Sequence, residues 1–120
     1  MVYLITGKAG AGKTTYMRRL EQELIDEGRK VFCIDGDEFR KQTGNTDYSD
    51  EGRLRNLMKA AELASKKECE GMIVLMAFVS PYRSWRNEMR RLFIRSRVIY
   101  IPGGTLWERT TYERPDETEV

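Results

Sequence analysis

The sequence predicts a three-layer α/β domain built on a parallel sheet, and three observations carry that expectation. Short apolar runs alternate with amphipathic segments along the chain. The first run, Val2–Thr6, leads directly into a glycine-rich loop and then into a helical pattern. Met72–Val79 is apolar at every position, as in a strand buried on both faces. Alternating strands and helices with right-handed crossovers place helices on both faces of such a sheet. Ligands then bind beyond the carboxyl ends of the strands. A length of 120 residues argues for one domain spanning 1–120.

The loop after the first strand reads Gly7-Lys8-Ala9-Gly10-Ala11-Gly12-Lys13-Thr14-Thr15 and fits G-x-x-x-x-G-K-[ST], the phosphate-binding P-loop. Glycines let a backbone curl close to phosphates. The N–H groups from Ala9 to Thr15, with Gly10, Ala11 and Gly12 between them, are expected to cradle the anion together with the helix N-terminus. Lys13 can reach the β- and γ-phosphates as a mobile point charge, and Thr14 offers a hydroxyl to Mg²⁺. A nucleotide polyphosphate and Mg²⁺ are therefore the expected ligands.

The remaining elements follow in order. Met17, Leu20 and Leu24 recur at helical spacing, which predicts a first helix from about Lys13 to Glu27 with Gly28 as its stop. Lys30–Asp35 reads as the second strand, and residues 44–47 as a loop. Ser49 can cap the next helix, with Asp50 and Glu51 in its first turn and Leu54, Leu57, Met58, Ala61 and Ala64 as its apolar stripe. After Met72–Val79, Ser80-Pro81 breaks the chain, and Trp85, Met89, Leu92 and Phe93 form the inner stripe of a further helix. Arg97–Ile101 is a fourth strand, ended by Pro102-Gly103-Gly104; a helical turn is expected around Leu106–Arg109. With the loop placed between first strand and first helix, the fold expected is that of P-loop NTPases, with the strand order 2-3-1-4 of P-loop kinases.

Composition narrows the function classes. Hydrophobic residues make up 40% of the chain and charged residues 33%, the balance of a soluble globular protein. A net charge of +2 does not by itself imply nucleic acid. There is no 18-residue apolar run, so no membrane span is expected, and the N-terminus enters a strand without a signal-peptide pattern. Cys33 and Cys69 form no C-x-x-C, and reduced thiols in a cytoplasmic protein are expected. With no histidine in the chain, a general base must be a carboxylate and a His-ligated metal site is excluded.

Three segments follow the carboxyl ends of strands: the P-loop, Asp35-Gly36-Asp37, and Ser80-Pro81-Tyr82-Arg83. This fold brings them to one crevice. Asp37 is the candidate general base; Asp35 could hold Mg²⁺ or orient Asp37. The alternative is that both carboxylates only cap or shape a turn. The third strand ends in Val79-Ser80, without the acidic residue of many P-loop ATPases, which argues against a water-activating motor or switch. Arg83, Arg86 and Arg90 share a helix face. Arg83 and Arg86 lie near the crevice, where they meet either phosphate or solvent, whereas Arg90, Arg91 and Arg95 read as a solvated basic face. Arg53 and Asn56, at i and i+3, read from spacing alone as a surface pair.

Taken together, these residues resemble the adenylylsulfate kinase family, P-loop kinases that use ATP and Mg²⁺ to phosphorylate the 3′-hydroxyl of adenosine 5′-phosphosulfate. The resemblance runs from Val2 to about Ile101. Asp35-Gly36-Asp37-Glu38-Phe39-Arg40 matches D-G-D-x-x-R, and Val79-Ser80-Pro81-Tyr82-Arg83-Ser84-Trp85-Arg86 matches I-S-P-Y-R-x-x-R. Tyr48–Leu57 is similar to F-S-x-x-D-R-x-E-N-I. The resemblance implies that Arg40, Arg53 and Asn56 contact the acceptor nucleotide, that Tyr48 stacks on adenine in place of a Phe, and that Val79, Ser80, Pro81 and Tyr82 line the acceptor site. Gly52 replaces the Asp beside Arg53, and Arg55 replaces a Glu. Leu106–Thr110 echoes the family's R-D region, which makes Arg109 a candidate ATP contact, and Tyr112-Glu113-Arg114-Pro115 is similar to its late Y-E-x-P. On that alignment the family's basic lid is almost entirely missing, and a second copy of the chain could cover the open crevice.

Three functions fit these features. The first is a kinase of adenosine phosphosulfate. The second is a kinase of similar build acting on another nucleoside, nucleotide or nucleic-acid hydroxyl, although aromatic–basic interleaving of the single-strand-binding kind is not visible. The third is a nucleotide-binding module without turnover, against which the presence of Lys13, Thr14, Asp35 and Asp37 argues.

Overall fold

The structure, a computed structural model, describes residues 1–105, 111–116 and 119. Eight elements alternate along them: β1 (Val2–Thr6), α1 (Lys13–Asp26), β2 (Val31–Asp35), α2 (Gly36–Thr43), α3 (Asp50–Cys69), β3 (Ile73–Phe78), α4 (Arg83–Arg90) and β4 (Ser96–Tyr100). The four strands form one sheet in the order β2-β3-β1-β4, and every pairing is parallel. This is the order read from the sequence. The expected turn around Leu106–Arg109 lies outside the described residues.

Strand side chains alternate between two cores. Val2, Leu4, Val74, Met76 and Phe78 point to the face covered by α2, α3 and α4, where they meet Phe39, Leu57, Ala60, Ala61, Ala64, Trp85 and Met89. Ile5, Ile73, Leu75 and Ala77 point to the other face, covered by Met17, Leu20 and Leu24 of α1. All six residues of β3 are buried, as its unbroken apolar run requires. On α3, Ala60, Ala61 and Ala64 are fully buried, and such small side chains let a helix lie close to a sheet. Ser49 caps α3 by accepting the Gly52 N–H at 3.2 Å.

One element had no expectation attached to it, and one differs from expectation. Residues 36–43 form a helix, because Asp35 caps it and Asp37 and Glu38 occupy its first turn. In contrast, α4 stops at Arg90, so Leu92 lies beyond its end and is 39% exposed instead of lining the inner stripe. Both cysteines are free. Burial, aided by Glu21, pushes the half-buried Cys33 thiol up to about 12, which disfavours the thiolate. Among the described residues no helix is long and apolar enough to cross a membrane.

Glu68 fastens the edge of the fold opposite the strand carboxyl ends. Its side chain is 3% exposed and lies 2.9 Å from the Met1 amino group. It accepts the Ile94 and Arg95 N–H groups at 2.8 and 3.1 Å. Burial pushes this carboxyl up, but the Met1 amino group and the two N–H groups outweigh burial and hold it below the ordinary glutamate value. Glu68→Ala should lower the unfolding free energy by about 2–4 kcal/mol in urea titrations. A carboxyl with a depressed folded pKa stabilises the fold above its unfolded value. The difference between the two proteins should therefore be full near neutrality and shrink as the pH falls below about 4.3.

Candidate active site

The carboxyl ends of β1, β2 and β3 open into one crevice of about 830 Å³. Ala9, Gly10, Gly12, Lys13, Thr14 and Thr15 line one end of it. The turn into α1 needs Gly12, whose φ of 99° lies in the left-handed region. Gly7 and Ala11 are not part of the wall. Gly7 is pressed against the Ile101 carbonyl, and the Ala11 N–H donates back to the Lys8 carbonyl at 3.2 Å. The Lys13 ammonium donates to the same carbonyl at 2.8 Å. Burial lowers the Lys13 pKa, against the pull of Asp37 and Asp35, so both carboxylates act electrostatically on this ammonium.

Asp35 links β2 to the P-loop. One carboxylate oxygen accepts the Thr14 hydroxyl at 2.6 Å; the other accepts the Asp37 and Glu38 N–H groups at 3.0 and 3.3 Å. The side chain therefore caps α2, as the alternative reading had it, and also orients Asp37. Thr14 Oγ1 and Asp35 Oδ2 are hard oxygen donors side by side at the P-loop, which suits Mg²⁺ held by few protein ligands. No group of three or more acidic or cysteine side chains that could hold a metal alone occurs among the described residues. The Asp37 side chain lines the same crevice.

Arg40, Tyr48, Arg53 and Asn56 line the other end. The Arg40 guanidinium lies 4.7 Å from the Tyr48 ring and donates to Asn45 and Asp47, so it shapes the loop that carries Tyr48. Arg53 is held between Asp50, at 3.6 Å, and the Trp85 ring, at 5.9 Å. Its side chain is 12% exposed, and Asn56 is buried and accepts the Thr43 hydroxyl at 3.4 Å. These two residues thus belong to the crevice and not to an outer surface. Gly52 has a steric reason: the Asp47 Cβ and carbonyl oxygen lie 2.5 Å from where its Cβ would be.

Val79, Ser80 and Pro81 form the third wall, whereas Tyr82 packs edge-to-face on Trp85 at 4.7 Å and does not line it. Ser80 has a φ of 42°, a strained value for a non-glycine residue. None of the described arginines on or after α4 lines the crevice: Arg83, Arg91 and Arg95 are exposed, Arg91 and Arg95 as expected of a solvated basic face, whereas Arg90 is half-buried. Arg86 is fully buried, donates to the Ser80 carbonyl at 2.7 Å and pairs with Glu119 at 2.7 Å. Arg83 donates to the Arg114 carbonyl, and Arg90 to Ser96 and the Glu119 carbonyl. All three arginines hold neighbouring segments, which carbonyls and a carboxylate within reach make favourable. Arg109 lies outside the described residues.

Leu57, Phe78 and Trp85 also line the crevice, and sequence reasoning did not assign them to it. Leu57 and Trp85 were legible only as core positions on their helices. They serve both purposes because the crevice floor is the edge of the core.

A family model described as adenylylsulphate kinase matches residues 1–103. The adenylyl-sulfate kinase of Aeromonas salmonicida is 39% identical over 93 residues, which is 77% of this chain and 47% of that protein. A probable adenylyl-sulfate kinase of Aeropyrum pernix is 40% identical over 102 residues, 84% of this chain and 56% of its own. The chain thus spans about half the length of the curated relatives it matches. The Mycobacterium tuberculosis APS kinase, solved in complex with AMPPNP and APS, superimposes with a TM-score of 0.79 at 24% identity, covering 83% of this chain and 61% of that one. At that identity the likeness is one of fold.

Lys13→Ala should remove most of the affinity for ATP, measured by titration calorimetry in the presence of Mg²⁺. Undiminished ATP affinity in that variant would mean that the loop is a turn and not a phosphate site.

Proposed function

The chain belongs to the adenylylsulphate kinase family, whose model matches residues 1–103, and we propose that it transfers the γ-phosphoryl group of ATP to the 3′-hydroxyl of adenosine 5′-phosphosulfate. The observation that carries this reading is the single crevice. It has P-loop residues at one end, Arg40, Tyr48, Arg53 and Asn56 at the other, and Asp37 on the same wall system.

Each residue has a role in that transfer. Lys13 exchanges the Lys8 carbonyl for the β- and γ-phosphate oxygens, and Gly10, Gly12 and Thr15 frame them. Thr14 and Asp35 hold Mg²⁺, which when bound supplies charge neutralisation on the phosphates. Asp35 also keeps the Asp37 backbone in place through its carboxylate. Asp37 takes the proton of the attacking hydroxyl as general base. Arg40 and Arg53 present guanidinium groups to the phosphosulfate oxygens, Asn56 offers an amide, and Tyr48 a stacking face. Val79, Ser80 and Pro81 close the acceptor wall.

A second reading, transfer to another nucleotide hydroxyl, is favoured by the remodelling of the acceptor end. Gly52 stands where the family has an Asp, and the Arg53 guanidinium is held against Trp85. A panel of acceptors separates the two: ADP release should require adenosine 5′-phosphosulfate and yield its 3′-phosphate. Turnover with other nucleosides or nucleic-acid ends, but not with adenosine phosphosulfate, would favour the second reading.

Two variants test the assigned roles. Asp37→Asn should retain the fold and ATP binding while slowing single-turnover phosphoryl transfer by roughly 10²–10⁴-fold; a loss of thermal stability alone would make Asp37 a turn residue. Arg53→Ala should raise the acceptor KM with little change in ATP affinity. An unchanged KM would remove Arg53 from the acceptor site.

A further inference from the structure

We infer that Arg86 is a positioning residue: through a buried pair with Glu119 it seats residues 112–114 against the acceptor loop Val79–Pro81 and holds that loop in its strained shape. The inference rests on the phosphoryl-transfer reading only for the identity of the loop as an acceptor wall.

Three consecutive carbonyls of this loop are each taken by a donor from a different part of the chain. The Thr6 hydroxyl donates to Val79 at 2.6 Å, the Arg86 guanidinium to Ser80 at 2.7 Å, and the Glu113 N–H to Pro81 at 2.7 Å. Between them Ser80 adopts its φ of 42°. A residue persists there only where its surroundings over-determine the backbone. The rest of the Arg86 fork points at the later segment. It donates to Glu119 through Nε and Nη2, at 2.7 and 3.1 Å, and to the Glu113 carbonyl at 2.6 Å. Arg86 is 0% and Glu119 2% exposed, so the pair is shielded from bulk solvent.

The later segment is tied to the loop's other neighbours as well. The Glu113 carboxylate accepts the Arg83 N–H at 2.9 Å, which caps α4, a helix without a cap of its own. The Tyr112 hydroxyl meets Thr6 Oγ1 at 2.8 Å, and its ring stacks on Tyr100 at 5.8 Å. Glu113 therefore bonds to Arg83, Pro81 and Arg86, on both sides of the loop. A planar fork with donors in fixed directions can satisfy Ser80, Glu113 and Glu119 together; a lysine cannot. Without the pair, Ser80 is free to relax to negative φ, which moves the carbonyls beside the acceptor end by a fraction of an ångström to an ångström, a misplacement large enough to matter for transfer.

Amide hydrogen exchange by NMR tests the inference without any acceptor. In the unaltered protein the Glu113 and Arg83 amides should open together with that of Ser80 as denaturant rises. In Glu119→Gln and in Arg86→Lys all three should exchange about ten-fold faster or more, while the Lys13 to Thr15 amides and ATP affinity stay unchanged. In the same variants the acceptor KM should rise roughly ten-fold with a smaller change in kcat, Arg86→Lys being the worse because it loses the fork. The inference is overturned if Glu113 exchanges well before Ser80 in the unaltered protein, a comparison that needs no variant to fold. It is equally overturned if loop exchange is unchanged in the variants, or if the loop loosens and acceptor KM does not move. Absence of turnover with every acceptor in the unaltered protein would count against the phosphoryl-transfer reading alone, and the exchange data would still decide the role of Arg86.

Discussion

The hydrogen bond from the Thr14 hydroxyl to the Asp35 carboxylate joins the two chain segments on which the crevice depends. β2 and β1 are not neighbours in the sheet; β3 lies between them. Only beyond the strand ends can their loops meet, and there one carboxylate reaches across. The same carboxylate starts α2 by accepting the Asp37 and Glu38 N–H groups. One side chain thus sets the distance between the P-loop and Asp37, and the direction in which Asp37 leaves the sheet. A P-loop and a carboxylate acting on one phosphoryl group need that spacing fixed before the ligand arrives, because positioning supplies most of the catalysis in phosphoryl transfer.

The end of the crevice away from the P-loop is built differently. Its arginines lie over aromatic rings, Arg40 over Tyr48 at 4.7 Å and Arg53 over Trp85 at 5.9 Å, distances at which a cation is attracted to the ring face. Its backbone wall is strained at Ser80 and braced from several sides. Strain of this kind costs on the order of 1–3 kcal/mol and is held in place by surrounding contacts. Here those contacts are hydrogen bonds to the consecutive carbonyls of Val79, Ser80 and Pro81, which brace this wall of the crevice.

The sequence was most informative where one physical requirement dominates. The P-loop spacing, the fully apolar β3 and the Ser49 cap each have a single solution, and the structure has it in each case. No element was assigned to residues 36–43 although the signal was present: an Asp with acidic residues two and three positions later marks a helix start, and Gly36 between them masks it. Arg86 was misread for a deeper reason. An arginine on a polar stripe is legible as meeting solvent or a ligand, whereas its burial follows from the Ser80 and Glu113 carbonyls and from Glu119, 33 residues later in the chain, partners that no periodicity reveals. Arg53 and Asn56 show the converse. Their spacing fits a surface pair, and the resemblance to a family, not the pattern itself, placed them at the site.

The central claim is that Asp35 and Asp37, two residues apart, do different work: Asp35 belongs to the metal and Thr14, and Asp37 to the acceptor hydroxyl. Anomalous diffraction from crystals grown with Mn²⁺ in place of Mg²⁺, a non-hydrolysable ATP analogue and adenosine 5′-phosphosulfate tests it directly. The account predicts a metal peak within about 2.0–2.3 Å of Thr14 Oγ1, on the Asp35 side, with the Asp37 carboxylate within about 3.2 Å of the 3′-hydroxyl. A metal coordinated by Asp37, or an acceptor hydroxyl out of reach of that carboxylate, would contradict it.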